Sequence, residues 1–165
     1  MSRKRLPRAK PWYASGLRFT CTGCGQCCTG PESGYVFVNE EEILALAAAL
    51  ELDLDTFGAR YLRMTPDGSY SLTERPDNLD CVFWVEEVGC QVYEARPTQC
   101  RTYPFWPEVV ESREAWEVEA ESCPGISEEG ERYTKARIER IVAGGDETPV
   151  GPGGPEPEQR SSPVS

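Results

Sequence analysis

The chain has 165 residues, eight cysteines, no histidine and a net charge of −11 at pH 7. This length suits one domain, and the acidic balance argues against general nucleic-acid binding because such a surface repels phosphates. No apolar run approaches the roughly 20 residues of a membrane-spanning helix, and the N-terminal region lacks the apolar stretch of a secretory signal. We therefore expect a cytoplasmic protein without a membrane span.

Both ends of the chain have compositions that do not favour a packed core. Residues 1–15 combine prolines with a group of arginines and lysines, and residues 144–165 are rich in proline, glycine, serine and glutamate. Segments of this kind bury too little apolar surface to fold. We expect a basic disordered arm at 1–15, a cysteine-cluster metal-binding domain at 16–143 and a disordered acidic tail at 144–165. The arm could contact an acidic partner or an anionic membrane, but a solvated tail is the simpler interpretation.

The first half of the expected domain predicts a short strand followed by two helices. Residues 35–38 form an apolar, β-prone run. Asn39, with Glu42 three residues later, is typical of a capped helix start, and the apolar residues that follow would form one broad face of that helix. A second, shorter helix is expected to begin after Asp53 or Asp55.

Two apolar, branched and aromatic runs, residues 81–85 and 90–93, predict a β-hairpin in the middle of the chain. A valine and a glycine lie in the short connection between them. A register symmetric about this turn would bring Cys81 and Cys90 close together across the two strands.

The last third predicts a short helix, a strand and a longer helix. Pro97 suits the start of a helix and Pro104 would end it, so this segment predicts a short helix that carries Cys100. Residues 116–120 alternate apolar and acidic side chains, which predicts a half-buried strand, and a final helix capped by Ser127 would end near Gly144. The predicted class is α+β: a small single domain with a β-hairpin, short strands and three to four helices, stapled by thiolate-bound metal.

Four of the cysteines are concentrated in the segment Cys21-Thr-Gly-Cys24-Gly-Gln-Cys27-Cys28. The first three follow the C-x-x-C-x-x-C spacing of bacterial ferredoxins, in which a further cysteine followed by proline completes the ligand set. Here the missing sulfur must come from elsewhere in the sequence, and the candidates are Cys81, Cys90, Cys100 and Cys123. A reducing cytosol disfavours disulfides, so metal ligation is the preferred interpretation.

The spacing alone leaves the metal and the number of centres open. Zinc also accepts four thiolates, although the three-cysteine run favours a [4Fe-4S] cluster. Neighbouring residues of an extended chain project in different directions, so Cys27 and Cys28 are not expected to be equivalent ligands of one mononuclear ion. Eight sulfurs could form two tetrathiolate sites, or one cluster plus packed or redox-active thiols.

The cysteine blocks together resemble the YkgJ-type cysteine-cluster family, a zinc- or iron-chelating domain named for its CxxCxxCC motif. The resemblance covers most of residues 19–126 and rests on the opening motif and on residues 81–83, 90–104 and 123–126. It implies that every cysteine is a metal ligand, namely Cys21, Cys24, Cys27, Cys28, Cys81, Cys90, Cys100 and Cys123.

Arg96, Arg101 and Tyr103 fall within one of the shared blocks and are predicted to contact the cofactor. The arginines could donate hydrogen bonds to cluster sulfurs, offset thiolate charge or hold an anionic substrate. In the alternative interpretation they pair with nearby glutamates such as Glu94, while Tyr103 and Trp106 only pack.

Three functional hypotheses follow. The first is a metal-binding protein that holds an iron-sulfur cluster, [4Fe-4S], for a redox or metal-handling role with an unknown protein or redox partner. The second is an interaction module folded around structural zinc. The third is a protein-modifying enzyme, since flagellin lysine-N-methylases carry a similar cysteine set, although this chain is short by comparison. Without histidine, hydrolytic triads are disfavoured, and enzymatic activity stays open.

Overall fold

The computed structural model describes residues 9–144, so residues 1–8 of the predicted arm and 145–165 of the predicted tail lie outside the described part. Trp12 falls within the arm predicted at 1–15, yet its ring packs against the core, and its indole N–H donates to the carbonyl of Val110 at 2.8 Å. Among residues 9–144, no helix has the length and apolar character needed to cross a membrane.

Short antiparallel strands and helices alternate along the chain, which confirms the predicted α+β class. The strands are β1 (Leu17–Arg18), β2 (Phe37–Val38), β3 (Leu62–Met64), β4 (Tyr70–Leu72), β5 (Trp84–Val85), β6 (Gly89–Cys90) and β7 (Arg132–Tyr133). The α-helices are α1 (Glu40–Ala49), α2 (Leu54–Tyr61), α3 (Thr98–Thr102), α4 (Pro107–Val110), α5 (Arg113–Ser122) and α6 (Lys135–Val142). The strands pair as β1–β7, β2–β4–β3 and β5–β6, all antiparallel.

Apolar side chains form two buried clusters. The central core joins α1 and α2 to the three-stranded sheet and to the segment after Cys81, through Val38, Leu46, Ala47, Phe57, Tyr61, Leu72, Phe83 and Val92. The terminal core joins the start of the chain to its last helices, through Leu17, Phe19, Tyr103, Phe105, Val109, Val110, Trp116, Cys123, Tyr133, Ile138 and Ile141. Six of the cysteines line a cavity whose walls include residues of both cores.

The predicted helix starts at Asn39 and Asp53 are confirmed. The Asn39 side chain accepts a hydrogen bond from the Glu42 amide at 2.9 Å, and the Glu42 carboxylate accepts one from the Asn39 amide at 3.0 Å, which completes a capping box on α1. Asp53 caps α2 by accepting from the Thr56 amide at 2.8 Å. These local signals determine where both helices begin.

The strand predicted at residues 116–120 is wrong, because these residues lie inside helix α5. Trp116 is buried at 7% exposure, but Val118 is 64% exposed, so the alternating apolar residues do not share a buried face. Trp116 and Cys123 are seven residues apart, a helical spacing, and both belong to the terminal core. Ser112 caps the helix by accepting from the Ala115 amide at 3.1 Å.

Two other predicted details are also wrong. The final helix α6 is capped by Thr134, whose hydroxyl accepts from the Arg137 amide at 3.3 Å, and not by Ser127, which lies in a preceding turn. The hairpin is present as β5–β6, but its register pairs Trp84 with Cys90. Cys81 therefore does not face Cys90 across the hairpin and instead forms an isolated bridge with Glu74.

Glu42 also connects α1 to the helix that carries Cys100. Its second carboxylate oxygen accepts a hydrogen bond from the Thr98 amide at 2.7 Å, at the start of α3. We expect Glu42→Ala to lower the free energy of unfolding by about 1–2 kcal/mol, because amides at two helix starts lose their acceptor. Chemical denaturation measures this change, and Glu41→Ala, an exposed neighbour in the same turn, should change it far less.

The contribution of Glu42 should depend on pH. Burial acts to raise the pKa of this carboxyl, but hydrogen bonds from Thr98 and Asn39 outweigh it and lower the pKa. A carboxyl with a lowered folded-state pKa adds stability above its unfolded pKa of about 4.3, and that stability is lost as pH falls through the folded value. The difference between wild type and Glu42→Ala should therefore shrink in acid; a constant difference would contradict this role.

Candidate metal centre

Six cysteines line one cavity between the central and terminal cores. The cavity has a volume of about 80 Å³, and its sulfur-bearing walls are Cys21, Cys27, Cys28, Cys81, Cys90 and Cys100. These residues come from the opening motif and from three later segments of the chain. The fold therefore gathers thiols that the sequence separates widely.

The second half of the opening motif is a 3-10 turn, Gln26–Cys28. Gly25 precedes it with φ = 78°, in the left-handed region, and its carbonyl accepts from the Cys28 amide at 2.8 Å. A β-carbon at Gly25 would overlap the ring of Trp84. Glycine is required here both for the backbone conformation and for the close approach of the tryptophan.

This turn places the sulfurs of Cys27 and Cys28 only 3.9 Å apart. The expectation that the two side chains project in different directions assumed an extended chain, and the 3-10 turn removes that assumption. Their proximity allows both sulfurs to approach one ion.

Backbone hydrogen bonds fix the motif to the segment that carries Cys81. The carbonyl of Cys28 accepts from the Cys81 amide at 2.7 Å, and the amide of Gly30 donates to the Asp80 carboxylate at 3.1 Å. Cys90 lies in β6, and Cys100 lies in α3, where its amide donates to the carbonyl of Pro97 at 3.0 Å. Secondary structure or backbone hydrogen bonds therefore hold the segments that carry Cys28, Cys81, Cys90 and Cys100.

Burial changes the pKa of several cavity thiols. Burial raises the pKa of Cys81 and Cys100, and it raises that of Cys90 to about 12. The hydrogen bond between Cys27 and Cys28 acts in opposite directions, because it lowers the pKa of Cys27 and raises the pKa of Cys28. Burial therefore favours the neutral thiol at Cys81, Cys90 and Cys100, and a bound cation would replace their protons.

The donor set fits a soft metal in its chemistry, since the acceptor atoms that converge on the cavity are sulfurs. Among residues 9–144, no three cysteine or acidic side chains already stand at coordinating positions around one point. A metal centre at this cavity would therefore require its sulfurs to move closer to one another than they stand here.

Cys24 and Cys123 are not among the residues that line this cavity. Cys24 is exposed, and Cys123 is buried in the terminal core at the end of α5. The predicted set of eight ligands is thus divided by the fold into six cavity cysteines and two that lie outside the cavity.

The three predicted cofactor contacts have different positions. Arg96 lines the cavity, donates from Nε to the carbonyl of Tyr93 at 2.9 Å, and lies over the Tyr93 ring at 3.8 Å. Tyr103 also lines the cavity, and its hydroxyl donates to Glu119 at 2.5 Å. Arg101 is not among the lining residues; it donates to the Thr98 hydroxyl at 3.2 Å, and its charge acts on Glu42.

Other lining residues were not predicted as part of the site. Gln99 donates to the carbonyl of Tyr35 and accepts from the amide of Phe37, both at 2.9 Å, and so connects α3 to β2 beside the cavity. Trp84 covers Gly25, and Trp106 lines the wall beside Gln99 and donates to its carbonyl at 2.8 Å. In the sequence, the position of Gln99 next to Cys100 was the available indication that it lies at the site.

Comparison with known proteins agrees with this donor chemistry. A family model described as "CxxCxxCC: Putative zinc- or iron-chelating domain" matches residues 20–124, a span that contains every cysteine of the chain and well over half of its length. No solved structure matches the chain. The resemblance inferred from the cysteine blocks is confirmed, and the chain belongs to the CxxCxxCC family of zinc- or iron-chelating domains.

Proposed function

We propose that the chain holds a [4Fe-4S] cluster in the cavity between its two cores and has a redox or metal-handling role. The observation that carries this proposal is that six cysteines from separate segments line one cavity. Thiolates are the ligands of iron-sulfur clusters, and a bound cluster would supply a one-electron couple. Any of the six cavity cysteines could belong to the ligand set, whereas Cys24 and Cys123 lie outside the cavity.

The shape of the cavity supports a centre of several atoms over a single ion. Its volume of about 80 Å³ is several times the roughly 10–15 Å³ that a cavity needs to hold one water molecule. Six cavity cysteines are also more than the four ligands that one tetrahedral zinc ion takes, whereas the iron atoms of a cluster are each bound by a separate cysteine.

The surrounding side chains would protect the centre and balance its charge. Phe83, Trp84 and Tyr93 contribute ring surface to the cavity wall, which limits the access of water. Arg96 is the positive charge that acts on Cys27, Cys90 and Cys100. A guanidinium in this position offsets the negative charge of a thiolate set.

Structural zinc is the second candidate, and one distance favours it. The sulfurs of Cys27 and Cys28 are 3.9 Å apart, close to the sulfur–sulfur edge of about 3.8 Å that tetrahedral Zn–S bonds of about 2.3 Å produce. Zinc would hold the two cores together without redox chemistry. The cytoplasmic location, the protein or redox partner and the methylase-like activity stay predictions from the sequence.

Metal analysis of protein purified without oxygen tests the proposal. We expect about four iron and four sulfide per chain, with a visible charge-transfer band that bleaches on reduction. Stoichiometric zinc in colourless protein would replace the iron-sulfur assignment with the structural one. Absence of both metals from protein expressed with iron and zinc available would overturn metal binding at this cavity.

A further inference from the structure

A second, larger cavity lies beside the terminal core. It has a volume of about 560 Å³ and runs between β1, β7 and α5. Arg18, Arg132 and Arg113 contribute to its walls from these three elements, together with Trp12 and Glu117. It shares no lining residue with the cysteine cavity. We call it the arginine groove.

Neutral partners hold the three guanidinium groups in place. Arg132 donates from Nε and from a terminal nitrogen to the carbonyl of Ser15, at 3.1 and 2.6 Å. Arg18 donates to the carbonyl of Gly130 at 2.9 Å, and Arg113 lies 5.4 Å from the centre of the Trp12 ring. These contacts restrain the side chains but leave their charge in place, and a guanidinium has five N–H donors, so further donors are available to a ligand.

The groove also differs in charge from the rest of the chain. Within residues 9–144, none of its three arginines forms an ion pair with a carboxylate, although acidic residues outnumber basic ones in the sequence by 28 to 17. Glu117 and Glu128 are the acidic lining residues, so three positive charges face two negative ones. The groove lining therefore has a net positive charge in an otherwise acidic protein, and its restrained arginines indicate a site for an anion.

We propose that the arginine groove binds a small molecule through a phosphate or pyrophosphate group. Three guanidiniums match the several oxygens and the multiple charge of a phosphate better than the two oxygens of one carboxylate. The volume is within the range of small-molecule sites. A nucleic-acid strand is a poorer match, because the acidic surface beyond the groove repels an extended polyanion.

Calorimetric titration of the metal-loaded full chain tests this inference. Inorganic pyrophosphate and glycerol 2-phosphate serve as separate probes and distinguish a diphosphate ligand from a phosphomonoester. We expect at least one to bind, and Arg113→Gln to weaken it by about tenfold or more through loss of a charge-assisted contact. Arg60→Gln, which removes the same charge from α2, should leave affinity within about twofold. Metal content is measured before and after, since pyrophosphate chelates.

A substitution that should strengthen binding controls for misfolding, because a misfolded protein would bind more weakly. Glu117→Gln removes a negative charge from the groove and should tighten phosphate binding severalfold, whereas Glu121→Gln on the same helix should not. The proposal is overturned if neither phosphate probe binds, if Arg60→Gln weakens binding as much as Arg113→Gln, or if a tricarboxylate such as tricarballylate binds more tightly than both phosphates.

Discussion

Cys90→Ser is expected to remove most of the bound metal and to destabilise the fold. A serine hydroxyl is a poor ligand for a soft metal, so affinity should fall by roughly 100-fold or more. Cys90 also packs against the central core, while other cavity cysteines belong to segments near the terminal core. Loss of the metal would therefore remove a connection between the two cores. Metal content and thermal unfolding of anaerobically purified protein measure both effects.

Cys24→Ser is the matched control for this substitution. Cys24 belongs to the same family motif, but its side chain is exposed and is not among those that line the cavity. We expect this variant to keep most of its metal and to unfold near the temperature of the wild type. Equal metal loss in Cys24→Ser and Cys90→Ser would contradict a centre restricted to the cavity, and retention of metal in Cys90→Ser would contradict Cys90 as a ligand.

The elements that were predicted correctly have their causes within a few residues. The capping box of Asn39 and Glu42 fixes the start of α1, and the prolines at 97 and 104 bound α3. The strand pairs β1–β7 and β3–β4 were not predicted, because their two- and three-residue strands carry almost no periodic signal. In β1–β7, the partners also lie at opposite ends of the described chain.

The cysteine site was predictable in its chemistry but not in its arrangement. Eight cysteines without histidine were sufficient to indicate a sulfur-based centre. The position of Cys123 outside the cavity follows from the end of α5, and residues 116–120 of this helix were predicted as a strand. The direction of Arg101 depends on Thr98 and Glu42, at the junction of two helices distant in sequence. Spacing within a motif contains neither kind of information.

Gly25→Ala is the second substitution with a large expected effect. The left-handed φ of 78° is unfavourable for alanine, and the added β-carbon would overlap the ring of Trp84. Backbone strain costs about 1 kcal/mol, and displacement of a packed ring adds roughly 1–3 kcal/mol. Because Gly25 precedes the turn that carries Cys27 and Cys28, the same displacement should also lower metal content.

Gly68→Ala separates the two contributions to the lost stability, which are backbone strain and overlap with the Trp84 ring. Gly68 has a similar φ of 86°, but no atom lies within 4 Å of a β-carbon placed there, so only the backbone term applies. We expect Gly25→Ala to lower the free energy of unfolding by clearly more than Gly68→Ala, and only Gly25→Ala to lose metal. In a double-mutant cycle, Trp84→Ala should recover part of the difference because it removes the overlapping ring. Equal costs at both glycines would show that Trp84 can move aside freely, and the turn would then not depend on this contact.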